Sequence, residues 1–117
     1  MAASLSCSGP VRRVYISSMY IVVLEFTRSL DVVDLALPDH VAWSTRQYEA
    51  RHFLVSGRQV PPDGVVIIAK AMTRGKLDAI MATCPYVAQR LARYEVTEFR
   101  ATRTAPELTK LNEAIPA

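Results

Sequence analysis

HFLVSGRQVPPDGVVIIAKA, residues 52–71, holds two strand-like runs around one turn. Residues 52–57 (HFLVSG) form a short run with an aromatic and a β-branched residue, and residues 65–71 (VVIIAKA) are dominated by side chains that fit a pleated surface. Between them, Pro61-Pro62-Asp63-Gly64 combines residues that fix φ with one that tolerates positive φ, so the chain reverses there. The result is a hairpin with a longer loop, placed mid-chain, with space for further elements on both sides.

Outward toward the N-terminus, residues 20–26 (YIVVLEF) read as a strand and residues 28–34 as a polar, irregular loop. Leu37-Pro38-Asp39 reads as a helix start, because proline is tolerated in the first turn and an acid suits the positive end of the dipole. The helix is expected to run to about residue 51. At 100° per residue, Leu37, Val41, Ser44 and Tyr48 share one stripe, which is the expected buried face, with His40 on its flank and Asp39 toward solvent. Outward toward the C-terminus, Thr73 caps a second helix to about residue 82, with Leu77, Ile80 and Met81 at helical spacing. Cys84-Pro85 ends that helix, residues 87–91 allow one more turn, and residues 93–102 (RYEVTEFRAT) alternate as a last strand. The order β-α-β-β-α-β predicts an α+β, ferredoxin-like fold with a four-stranded antiparallel sheet and both helices on one face. Residues 1–18 read as an N-terminal extension, 19–104 as the domain, and 105–117 as a tail with one helical turn near 107–112.

Residues 65–69 are apolar at every position, and residues 20–24 nearly so, whereas a sheet wetted on one side alternates. If the helices cover one face, the other needs a cover, and the same face of a second copy provides one. A homodimer is therefore expected. The 117 residues, 50% hydrophobic and 21% charged, describe one globular domain and exclude a multidomain enzyme. The net charge of +3 is scattered singly, and Arg12-Arg13 is too short a basic run to mark a nucleic-acid or membrane surface, so neither partner is expected. No apolar run approaches the roughly 18 residues of a membrane span, and the first residues lack a signal-peptide core, so a cytoplasmic location is expected. Cys7 and Cys84 make neither a disulfide framework nor a metal-ligand spacing, so both are expected as reduced thiols, with no metal and no cofactor.

From residue 19 to 103 the chain resembles the YCII-related family of dimeric α+β barrel proteins. The resemblance is carried by the opening strand MYIVVLEF, the helix start PDHVAW, the segment FLVSGRQVPPDG leading into VVIIAKA, the turn ATCPYV and the closing strand YEVTEFR. It implies a ferredoxin-like subunit, dimerisation through sheet faces, and a pocket between sheet and helices. In that pocket a histidine near the start of the first helix meets an aspartate in an Asp-Pro-aromatic turn, a pair proposed as an acid/base dyad in a family that includes dehydrochlorinases and lyases of ring compounds. The histidine corresponds to His40, and the turn to Cys84-Pro85-Tyr86, so a cysteine stands where the resemblance expects the acid. Arg58 follows Gly57 where a proline is common, and Arg51 stands where a glycine is usual.

The chemistry of these residues frames the functional alternatives. A histidine in a first helical turn is held toward its neutral form and suits general acid/base work; the plainer reading is a histidine that merely packs at a pocket rim. Cys84 reads as a thiolate paired with protonated His40, as an inert buried thiol, which is the commoner fate, or as a bystander to another acid among Asp39, Glu25 and Glu95. Arg58 could receive an anion in a forked hydrogen bond or be simply solvated, and Trp43, Tyr48, Tyr86 and Phe53 could line a pocket for a flat ring or be ordinary core. His52 reads as structural. The first expectation is a cofactor-independent acid/base enzyme of lyase, dehydrochlorinase or isomerase type acting on a small carbonyl or phenolic metabolite. There His40 and Cys84 would be catalytic, and Arg58, Tyr86, Trp43 and Tyr48 would bind substrate. Its rival is a non-catalytic small-molecule binder or accessory protein on the same fold, and a cofactor-free oxygenase is a third, weaker option.

Overall fold

The structure, a computed structural model, describes residues 18–113; Cys7, Arg12, Arg13 and the rest of residues 1–17 lie outside them, while Ser18, the last residue of the expected extension, opens the first strand. Four strands, β1 (Ser18–Phe26), β2 (Phe53–Arg58), β3 (Gly64–Met72) and β4 (Ala92–Phe99), form one sheet in the order β2-β3-β1-β4, every neighbour antiparallel. The fold is ferredoxin-like, α+β. Each crossover carries a second short helix: α1 (Leu30–Leu35) precedes α2 (Leu37–Glu49), and α4 (Pro85–Ala88) follows α3 (Arg74–Ala82). A 3₁₀ helix, Pro106–Leu111, stands in the C-terminal tail.

Strand side chains alternate in burial. Tyr20, Val22 and Leu24 of β1, with Val65, Ile67 and Ala69 of β3, form the core with Val33, Trp43, Leu77, Met81 and Tyr86 from the helices. The register places Ile21 against Ile68 and Val23 against Val66 on the opposite face, where these four are half-buried and Val55 is exposed. Toward β4 that face becomes polar, with Arg93, Glu95 and Thr97 beside Glu25, Val23 and Ile21. The tail segment covers its far end, leaving a cavity of about 430 Å³ between Met19, Ile68 and Phe99 on one side and Leu108 and Leu111 on the other. The apolar part of the open face is thus the β1–β3–β2 half rather than the whole sheet.

Two local expectations are corrected. Residues 28–34 are not all loop: Leu30 and Val33 lie one turn apart and Val33 is fully buried, so packing turns this stretch into α1. The stripe expected to be buried in α2 is instead its groove-facing side. Leu37, Val41 and Tyr48 are exposed, while His40 and Trp43 carry the helix into the core. An indole buries more apolar area than any residue of the stripe, and its position sets the rotation of the helix.

Backbone detail explains several boundaries. Thr73 accepts a hydrogen bond from the Lys76 amide and starts α3. Helix α2 ends in a paired closure, in which the amide of His52 donates to the Gln47 carbonyl and that of Arg51 to the Tyr48 carbonyl. This closure places Arg51 at φ 64°, the left-handed position that glycine occupies most easily. At Gly64 the chain passes so close to β1 that a Cβ would lie 1.8 Å from the carbonyl oxygen of Leu24, which excludes every other residue without a shift of the sheet.

Candidate active site

A cavity of about 260 Å³ opens between α2 and the end of β2. Its wall includes Leu37, Val41 and Val65, its rim carries the hydroxyls of Ser44, Thr45, Tyr48 and Ser56, and its inner end is formed by His40, Arg58 and Tyr86. The Tyr48 and Ser56 hydroxyls bond to each other, which ties α2 to the strand across the opening.

Each inner residue is placed by an element boundary. His40 follows Pro38 in the first turn of α2, and the rotation set by Trp43 turns it inward, where it is 9% exposed. Arg58 is the last residue of β2 and pairs with Val65, whose side chain is in the core, so the guanidinium emerges on the helix side of the sheet. Tyr86 follows Pro85 in the first turn of α4. Its ring lies nearly parallel to the imidazole of His40, 11° off with centroids 4.2 Å apart, and makes a T-shaped contact with Phe26.

Cys84 caps α4 from behind the imidazole, fully buried, with its Sγ 3.9 Å from His40 Nδ1. Burial pushes the thiol pKa up, against the weaker pull of the Val87 and Tyr86 amides. Burial, reinforced by the positive charge of Arg58, holds His40 down to about 4. Near neutral pH both partners are therefore uncharged, and the thiolate–imidazolium pair is not the resting state. The lowered imidazole was expected from the helix dipole; its main cause is loss of water.

Arg58 is held from two sides. Its Nη2 lies 3.0 Å from Oδ1 of Asp34 in α1 and donates a longer bond of 3.4 Å to the Tyr86 hydroxyl. The guanidinium carbon also stands 5.4 Å from the centre of the Phe26 ring. Asp34 is not among the residues the sequence singles out, because residues 28–34 read as a loop; the Leu30–Val33 spacing is the signal that makes the segment helical. Of the acids considered there, Asp39 is exposed on α2, Glu25 pairs with Arg93, and Glu95 shares the far face of the sheet with Glu25. None adjoins His40.

The structure gathers His40, Arg58, Tyr48 and Tyr86 around one cavity and sets Cys84 directly behind it. Trp43 is displaced from the expected group: it is sealed in the core against Phe53 and His40, and its Nε1–H donates to Thr83 Oγ1 at 2.8 Å. His52 bonds through Nδ1 to Gln47 outside the cavity. Among the described residues no three His, Cys, Asp or Glu side chains converge as metal ligands, and no helix is long and apolar enough to cross a membrane. The family model of the YCII-related domain matches residues 19–100. No curated protein matches the chain.

Proposed function

The chain belongs to the YCII-related domain family, and on that premise we propose that it is a cofactor-independent acid/base enzyme of lyase or isomerase type, acting on a small anionic carbonyl or phenolic compound. The observation that carries this reading is a buried, neutral imidazole on the wall of a cavity that also holds a guanidinium. A neutral His40 can accept a proton from a bound molecule without first losing one. Arg58 keeps Nη1 and Nε uncommitted among the described residues, and these can meet negative charge on the ligand. About 260 Å³ suits a single substituted ring.

One observation favours a second reading, a non-catalytic binder. An aspartate beside Nδ1 would accept its proton and leave Nε2 bare toward the cavity, whereas a neutral thiol both donates and accepts weakly and imposes neither tautomer. The test is proton exchange in deuterated water, followed by NMR over a panel of small enolisable keto acids and lactones. Exchange that disappears in His40→Ala supports the enzyme. Binding of panel members with no exchange above the buffer rate decides for the binder.

The same premise extends to assembly. A second copy is proposed to cover the apolar half of the open sheet face, around Ile21, Val55, Val66 and Ile68, and sedimentation at micromolar concentration is expected to give a dimer that Val66→Lys dissociates. A monomeric parent chain would refute it.

A further inference from the structure

The hydroxyl of Tyr86 has a direction that its neighbours dictate. Arg58 Nη2 donates to the phenolic oxygen, so the phenol's own hydrogen cannot point at the guanidinium. Among the described residues no acceptor takes that hydrogen, and Tyr86 lines the cavity. The side chain is otherwise sealed, its ring fixed between His40 and Phe26. The free donor therefore belongs to a fully buried phenol that borders the space where a ligand would sit, and the adjoining guanidinium makes it a stronger one.

We infer that Tyr86 and Arg58 together form an oxyanion site, in which the phenol and the free N–H groups of the guanidinium meet one ligand oxygen. This rests on the acid/base reading of the same cavity and narrows it to ligands whose oxygen bears or develops negative charge: enolisable carbonyl compounds and phenols. In the step, His40 takes the proton from the carbon beside a carbonyl, and the C–H electron pair becomes a C=C bond. The C=O π pair moves to oxygen, where the Tyr86 hydrogen and Arg58 hold it. Return of the proton to carbon completes an isomerisation, and departure of a leaving group with its electron pair completes an elimination. Asp34, which grips the same guanidinium nitrogen, is a positioning residue that keeps Arg58 beside the phenol.

The experiment uses 4-nitrophenolate as a stand-in for the oxyanion, held fully ionised, with nitrobenzene as the same ring lacking the oxygen. Calorimetry on the full chain is expected to give binding of the phenolate that weakens about tenfold or more in Tyr86→Phe and in Arg58→Gln, the cost of one hydrogen bond to a charged group. Nitrobenzene should bind the parent chain and Tyr86→Phe alike. Phenylalanine retains the stack on His40 and the contact with Phe26, so the variant is expected to melt with the parent. Equal phenolate affinity in Tyr86→Phe, or no phenolate binding to the parent, overturns the oxyanion site. Tyr86-dependent binding in a protein that fails the exchange test leaves the oxyanion site standing and removes the enzyme.

Discussion

Cys84→Asp places a carboxylate behind the imidazole, and its effect can be sized from the geometry. With a carboxylate oxygen at the distance of the present sulfur, 3.9 Å from Nδ1, attraction for the protonated ring is about 4 kcal/mol at an effective dielectric of about 20. At 1.36 kcal/mol per unit this raises the pKa of His40 by about 3 units, from about 4 to near neutrality. Burial also raises the new carboxyl, but the Tyr86 and Val87 amides, which already favour charge on the sulfur, would receive an acceptor suited to a helix N-cap. The two groups then titrate as a pair. Long-range ¹⁵N–¹H spectra of the imidazole report both titration and tautomer, with His52, which lies outside the cavity, assigned by His52→Gln. The expected outcome is one tautomer protonated at Nδ1 and a midpoint near pH 7. If His40 still titrates near 4 in the variant, burial alone governs the ring, and the argument that residue 84 sets its state is refuted.

Other consequences can be checked on the unliganded protein. Below about pH 6.5 the unfolded chain binds a proton that folded His40 refuses until about pH 4, so stability falls with falling pH across that window by about 3 kcal/mol from this residue. Urea titrations of His40→Gln should lack that part of the slope, and an unchanged slope contradicts the assignment. Arg51→Gly relieves a left-handed residue in the closure of α2 and should stabilise by about 1 kcal/mol, read as a raised melting temperature. Gly64→Ala drives a methyl group into the Leu24 carbonyl and should cost about 3 kcal/mol, because the obstacle is backbone rather than a mobile side chain. A Gly64→Ala protein as stable as the parent would show that β1 and β3 part more easily than their register implies.

Most of the fold is legible because strands declare themselves. The β-branched runs at residues 20–26 and 65–71 and the Pro-Pro-Asp-Gly turn determine the order of the elements, and the Thr73 cap marks the start of α3. What periodicity misjudged was the rotation of α2. Leu37, Val41 and Tyr48 form the most obvious apolar stripe, but they border a cavity and stay exposed, while the single Trp43 and a histidine take the core. A helix beside a pocket has two inward-looking sides, and composition alone does not tell which is filled by protein. The site was half legible for the same reason. His40, Arg58 and Tyr86 meet because element ends bring them together, and their types announced their chemistry. Asp34 could not be placed until α1 was known to be a helix.

The exchange of charge around His40 connects these observations. An aspartate at position 84 would supply negative charge behind the ring; this chain has a neutral thiol there and a cation, Arg58, in front. Asp34 offsets that cation only in part, since both groups of the pair are partly exposed and water screens them, and Arg58 still lowers the pKa of His40. The negative charge missing from the protein is the one that an anionic ligand brings. An oxyanion seated on Arg58 and Tyr86 as proposed would offset the charge that disfavours imidazolium, so the ring would be a better proton acceptor with a ligand bound than with the cavity empty. In this arrangement a thiol at position 84 would not by itself abolish proton transfer. The compensating charge would come from the ligand rather than from the protein, and the basicity of His40 would depend on occupancy of the site.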